Sequence, residues 1–190
     1  KNLLHPFQPF IIGQKIIGPL MALKFDIPLV IYGENPAEYG NAIDDNASPN
    51  MDSMFFSKTA NSEIILGGEK LTNLLNDYDL TLNDFEPYLP PSLKDLNEKK
   101  IEQRYLGYYL KWDPQECYYY SVEHTGFKSN PVRSEGTYSK YASLDDQLDG
   151  FHYFLMFIKF GIGRATSDAA HEVRDGHILR DEAAALVGKY

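Results

Sequence analysis

The chain has 190 residues, 43% of them hydrophobic, with 14 Tyr, 11 Phe and a formal net charge of −9. That composition fits one globular domain or most of one, and a chain of this length buries roughly 70% of its unfolded surface. The lone cysteine, Cys117, excludes an intramolecular disulfide and a zinc site built from several thiolates of this chain, and the negative balance argues against nucleic acid, whose binders carry a basic field.

In chain order, the first element expected is a helix over 13–25, with Ile16, Ile17, Leu20, Met21 and Leu23 at helical spacing and Lys15 and Lys24 facing outward. The apolar run Ile27 to Tyr32 then reads as a buried parallel strand ending at Gly33. Helix, short link and buried strand is the order of an α/β fold. From Asn41 to Ser62 the chain is rich in Asn, Asp and Ser and reads as a long surface excursion. Helical spacing resumes between Gly67 and Leu80, through Leu71, Leu74, Leu75 and Tyr78, before Pro87, Pro90 and Pro91 break the chain. Tyr- and Leu-rich sequence from Ile101 to Trp112 predicts a second strand.

Asp113 followed by Pro114 has the form of an N-cap and first helical residue, opening a helix through Cys117 and Tyr118 to Tyr120 that stops near Gly126. Ser143 is the expected cap of a long helix. Leu144, Leu148, Phe151, Leu155 and Ile158 form one stripe of it, and Tyr153, Phe154, Met156 and Phe157 fill most of the other face. A helix apolar nearly all round is expected to be buried. Gly161 and Gly163 end it, and two short helices follow around 168–174 and 180–189. The apolar run Phe151 to Phe160 is far short of the ~20 residues that span a bilayer, and no signal peptide is evident. A soluble, cytoplasmic protein is expected, and a start at Lys1 without Met points to a natural N-terminus upstream.

Three stretches carry candidate chemistry. Gly33, Glu34, Asn35 and Glu38 follow the first strand, where open α/β sheets bind ligands, and carboxylates there suit Mg²⁺ bound to phosphates. An ordinary turn and helix start would use the same residues. Lys159, Gly161, Gly163 and Arg164 put two cations around a glycine turn ahead of a helix capped by Thr166 or Ser167, a pattern suited to phosphate. A glycine C-cap with a basic residue is the plainer reading. Lys111 and Trp112 sit at a strand end before an aromatic triplet, and tilt toward a substrate wall. Asp145, Asp146, Asp149 and His152 lie on successive turns, but acidic residues at a helix start are ordinary, so no metal ligand is assigned. His5, His124, His171 and His177 have no partner at ligand spacing, and Gly67-Gly68-Glu69-Lys70 lacks the rest of a P-loop.

Several long strings resemble one family. They are Pro6 to Lys15; Ile27 to Gly40; Tyr105 to Phe127 with Trp112-Asp113-Pro114-Gln115-Glu116; Glu135-Gly136-Thr137-Tyr138-Ser139-Lys140-Tyr141; and Asp149 to Asp168 with Gly161-Ile162-Gly163-Arg164. Together they resemble the N-acetyl sugar amidotransferases of bacterial surface-sugar pathways, members of the PP-loop ATPase superfamily that serve O-antigen and flagellin nonulosonate synthesis. The stretch from Asp44 to Lys100 matches least.

The resemblance implies a Rossmann-like α/β fold of the adenine nucleotide α-hydrolase type, with a parallel sheet and a helical C-terminal part. Residues 1–190 would be the C-terminal portion of a single such domain, with a surface insertion around 41–100. The family's first strand and its Ser-Gly-Gly-x-Asp-Ser loop are missing from this chain, as are the cysteines before that loop. Leu179 also stands where a Thr or Ser cap is expected.

The implied reaction uses ATP and Mg²⁺ to adenylate an acetamido oxygen, and ammonia then displaces AMP to leave an acetamidino group. Ammonia would come from a glutaminase of the histidine-biosynthesis type working with a cyclase-like subunit. Glu34, Lys159 and Arg164 take the catalytic roles; Gly33, Asn35, Glu38, Gly161 and Gly163 meet the nucleotide; Gln14, Lys111, Trp112 and Tyr118 line the sugar side. The rival readings are another PP-loop enzyme, such as a tRNA thiolase, and a non-catalytic module that binds sugar or a glutaminase. A homo-oligomer is left open.

Overall fold

The computed structural model describes residues 5–33, 48–59 and 63–190. The chain separates into two compact units, Phe7–Lys111 and Trp112–Tyr190, the second joined by His5 and Pro6. Each is described in its own frame.

The first unit opens with helix α1, Gln8–Phe25, which ends where Asp26 turns into the left-handed region at φ 55°. Strand β1, Leu29–Tyr32, follows. Pro19 lies inside α1 and has no N–H, so the carbonyl of Lys15, four residues back, loses its helical donor. The Tyr32 hydroxyl donates to that carbonyl at 2.8 Å. Gly18 makes the approach possible, since a Cβ there would stand 3.0 Å from both the Tyr32 hydroxyl and a Val30 methyl. Helix and strand are therefore pinned at one point by a missing donor and a missing side chain.

A hairpin follows, with β2 at Ile65–Leu66 and β3 at Glu69–Lys70, paired antiparallel. Helix α2 covers Leu71–Asp77, α3 covers Leu82–Phe85 and α4 covers Leu93–Glu98. The continuous helix expected from Gly67 does not form. Gly67 and Gly68 both have positive φ, 62° and 79°, which closes a two-residue hairpin and delays the helix to Leu71.

Strand β4, Glu102–Tyr105, pairs in parallel with β1, setting Leu29 beside Glu102 and Tyr32 beside Tyr105. The small sheet is parallel as expected, but the second strand is shorter than expected, because Leu106–Tyr108 coil into a 3₁₀ turn. Nor is β1 buried. Leu29 and Ile31 are 41% and 52% exposed on the face opposite α1. The far edge of β4 is met by the chain at Pro49 to Met51, through Met51 N–H to Gln103 O and Tyr105 N–H to Pro49 O. Met51, Phe56, Leu96 and Tyr105 form the apolar core, with Leu23, Tyr32 and Ile101 against it. Three of these, Met51, Phe56 and Leu96, come from the stretch that the sequence marks as an insertion. Lys99 ties α4 to the end of α1, donating to Leu23 O at 2.9 Å and pairing with Asp26.

The second unit holds α5, Pro114–Thr125; α6, Asp149–Phe160; α7, Arg164–Asp175; and α8, Arg180–Val187. Asp113 caps α5 as expected, accepting the Glu116 N–H at 3.1 Å, and Gly126 ends the helix at φ 72°. The chain between α5 and α6 is irregular yet fixed. Asn130 N–H donates to Lys140 O, Ser134 N–H to Ser139 O and the Ser134 hydroxyl to Ala142 O, and Thr137 is fully buried.

Two expectations for α6 fail. The helix begins at Asp149 with Leu148 at its N-cap, while Ser143 sits upstream in the left-handed region at φ 55°. And no residue of α6 is buried. Helix α7 likewise starts earlier than expected, with Gly163 at its N-cap, so Thr166 and Ser167 fall in its first turn. At α8, Leu179 offers no side-chain cap, but the Glu182 carboxylate reaches back to accept the Leu179 N–H at 2.8 Å. Among the described residues no helix is long and apolar enough to cross a membrane.

Candidate functional site in the C-terminal unit

One face of α7 carries charged groups one turn apart: Arg164, Asp168 and Glu172. Small residues beside them, Ala165 and Ala169, are buried at 3% and 2% exposure, which lets the irregular segment after α5 lie close against the helix. The Ala165 N–H donates to Gly136 O at 3.0 Å, fixing the two together. Gly136 has φ 72°, a conformation that only glycine adopts without strain.

Arg164 is 4% exposed. Its Nη2 donates to the Ser143 hydroxyl at 2.5 Å, and its guanidinium lies 4.3 Å from the centre of the Tyr153 ring. Its Nε–H and Nη1–H have no hydrogen-bond partner among the described residues. A buried cation with two open donors is costly unless an acceptor reaches them. The donor set therefore fits an oxygen anion, by its side chain. The backbone of the same helix start is already committed, because Thr166 and Ser167 both donate to Gly163 O. Gly161 is a left-handed C-cap of α6, with Lys159 in that helix's last turn. The plainer reading thus accounts for Gly161 and Lys159, and Arg164 stands apart from it at the head of the next helix.

One turn on, Asp168 accepts the hydroxyl proton of buried Thr137. Burial raises the Glu172 carboxyl above its ordinary value, and the Asp168 charge adds to the effect. The Tyr138 hydroxyl is buried near Glu172 without the alignment of a full hydrogen bond. Burial, and then the charge of Glu172, pushes Tyr141 up to about 12 and Tyr138 higher still. These phenols stay protonated, so each keeps a hydroxyl proton to donate. Tyr118 stacks on Tyr141, with centroids 4.4 Å apart and planes at 10°.

A second cluster joins the start of α5 to the turn after α7. His177 Nε2 stands 2.9 Å from each carboxylate oxygen of Asp113, itself only 3% exposed. Asp175 completes a group whose ligand atoms lie within 4.8 Å of one another. The Asp113 hydrogen bond raises the His177 pKa, and the charges of Asp175 and Glu116 push the same way. No sequence spacing points to this pair, because its members are 64 residues apart.

The remaining assigned residues are spread over both units. Gln14 lies on α1, where its carbonyl accepts from Tyr32 at 3.3 Å. Lys111 is exposed at the end of the first unit. Trp112 opens the second and is 50% exposed. Gly33 is exposed just past β1, and Glu34, Asn35 and Glu38 lie outside the described residues. A hollow of about 220 Å³ lined by Glu63, Ile64, Leu71 and Thr72 contains none of the assigned residues.

The fold and this site define a class before any name: an α/β chain with a small parallel sheet and a helical C-terminal part whose charged helix face is packed on buried hydroxyl groups. Residues 135–190 match the family model of the LPS biosynthesis protein WbpG-like, C-terminal domain. The matched range starts at Glu135 and takes in Thr137, Tyr138, Tyr141, Arg164, Asp168, Glu172 and His177. No curated protein matches the chain.

Proposed function

We propose that the chain is part of an ATP-dependent amidotransferase that converts an acetamido group of an N-acetylated sugar into an acetamidino group, in lipopolysaccharide or related surface-glycan synthesis. The match of residues 135–190 to the WbpG-like lipopolysaccharide family supports the surface-glycan part of this reading, and the amidotransferase reaction rests on the resembling strings. The match covers the part of the chain in which Arg164 is held. The finer assignment, a PP-loop ATPase of the Rossmann-like type, rests on the resembling strings, and the parallel pairing of β1 with β4 is compatible with it.

An amide is a poor electrophile, so the acetamido oxygen must first gain a leaving group. It attacks the α-phosphorus of ATP, and pyrophosphate departs. Ammonia then adds to the activated carbon, loses a proton, and AMP leaves with the original oxygen. The protein's part is positioning and charge stabilisation. In this reading Arg164 turns its open Nε–H and Nη1–H toward phosphate oxygen, with Lys159 as a second cation, and Gly161 and Gly163 allow the chain to pass close by.

Mg²⁺ prefers carboxylate oxygen. The hard donors Glu34 and Glu38, with Asn35 and Gly33 beside them, suit it better than the cluster of Asp113, Asp175 and His177, whose imidazole suits softer metals. Gln14, Lys111, Trp112 and Tyr118 would meet the sugar. Ammonia would be supplied by a glutaminase with a cyclase-like subunit, and the compartment would be the cytoplasm. The exposed aromatics Trp112, Tyr119 and Tyr120 favour a non-catalytic sugar-binding module as the second reading.

Phosphorus NMR on the full reading frame that contains this chain, with ammonium as nitrogen source, tests the proposal. AMP and pyrophosphate should form only when an N-acetylated nucleotide sugar and ammonium are both present. Arg164→Ala should lower turnover by about 10²-fold per folded molecule. Folded protein that turns over no ATP with any acetamido sugar would overturn the reading in favour of the binding module.

A further inference from the structure

Helix α6 leaves an apolar surface in solvent. Leu148, Phe151, Phe154, Phe157 and Ile158 are 53%, 57% or 58% exposed, at 53%, 53%, 57%, 53% and 58% in that order. On a 3.6-residue helix they share one side, with half-buried Leu155 between Phe151 and Leu148. The opposite side is occupied in part: Tyr153 lies under the Arg164 guanidinium and His152 stacks on His5 at 5.1 Å, while Phe160 at the helix end is 64% exposed there. The exposed side carries no charge. Asp149 falls on the other side of the helix, and exposed Lys159 lies at the edge of the apolar side, next to Leu148.

We infer that this face of α6 is the contact between two copies of the chain, packed about a twofold axis near Phe154. With large apolar side chains of roughly 200 Å² each, a little over half exposed, five of them present about 550 Å² per copy and about 1,100 Å² for a pair. That clears the ~1,000 Å² expected of a specific interface, and about 550 Å² lies at the upper end of the apolar patches that monomers expose, which are often functional. The aromatic spacing is self-complementary. Phe151 and Phe157 stand three residues to either side of Phe154, so an antiparallel pairing about Phe154 sets that ring against its own copy and each Phe151 level with the other copy's Phe157. An uncharged stripe lets two identical faces meet without opposing like charges, despite the chain's net charge of −9.

Light scattering on the eluting chain tests this. Wild type should have twice the 21.7 kDa chain mass at tens of micromolar. Phe154→Glu should elute at the chain mass with unchanged far-UV circular dichroism, because the side chain it replaces is exposed. In a Cys117→Ser background, Phe154→Cys should form an intermolecular disulfide on mild oxidation and Tyr78→Cys, exposed in the other unit, should not. A monomeric wild type would overturn the inference, as would a dimer indifferent to Phe154→Glu. Sedimentation of a monomeric wild type with phosphatidylcholine vesicles would assign the face to lipid instead.

Discussion

The two units cohere by different means. The first is held by apolar side chains: Met51, Phe56, Leu96 and Tyr105 form a continuous cluster, with Leu23, Tyr32 and Ile101 packed against it. In the second the buried residues are small or polar, namely Ala165, Ala169 and Ala183 with Asp113, Ser134, Thr137, Ser139 and Arg164. Its large apolar side chains, above all on α6, stay in solvent. Apolar burial tolerates exchange of one hydrocarbon for another of similar volume. A buried polar network does not, since each donor or acceptor left unpaired pays its full desolvation penalty. The second unit has therefore traded adaptability for a specific arrangement of charged groups, as a binding site requires.

The sharpest way to break this contrast is Leu96→Ala. Leu96 is 2% exposed, and its truncation should cost the first unit about 3 kcal/mol, read by urea denaturation. Hydrogen exchange should place the loss in β1, β4 and α4 and leave α7 protected. The next effect is that of Thr137→Val, which keeps shape and removes the hydroxyl donor to Asp168. It should cost about 1–2 kcal/mol, although an apolar site would tolerate the same change. A neutral Thr137→Val would remove the distinction between the units.

The smallest effect is pH dependence at His177. Its folded pKa is raised above the ordinary 6.5 by Asp113, so the stabilisation is fully present below 6.5 and is lost as pH rises through the higher folded value. Thermal unfolding between pH 5.5 and 8.5 should show this slope in wild type and lose it in His177→Asn. An unchanged slope would show that the pair contributes nothing to the second unit.

Much of the local order was legible before any coordinates. Asp113-Pro114 marked the start of α5 because a short carboxylate and a fixed φ suit the first two positions of a helix, and Gly126 and Gly161 marked ends because glycine enters the left-handed region freely. The parallel strand pair followed from the order of helix and apolar run. Within the site, Arg164 stands out in the sequence beside its glycine turn, whereas nothing singles out Asp168 and Glu172, because acidic residues one turn apart are ordinary on a helix.

What failed had physical causes in the chain's long-range contacts. Apolar periodicity reports which side of a helix could be buried, not what is available to bury it, so α6 and β1 read as interior and are not. Ser143 has the chemistry of a cap, but the Arg164 guanidinium engages its hydroxyl instead.

The sequence by itself determined where α5 starts and stops, where α6 ends and which residues bear charge, since capping and glycine freedom act within a few residues. Only the tertiary structure decided that His177 meets Asp113 across 64 residues, that Tyr32 completes the Lys15 carbonyl orphaned by Pro19, and that Arg164 faces inward with two donors open. Those contacts join groups far apart in the chain, and their energies depend on burial that no local pattern encodes.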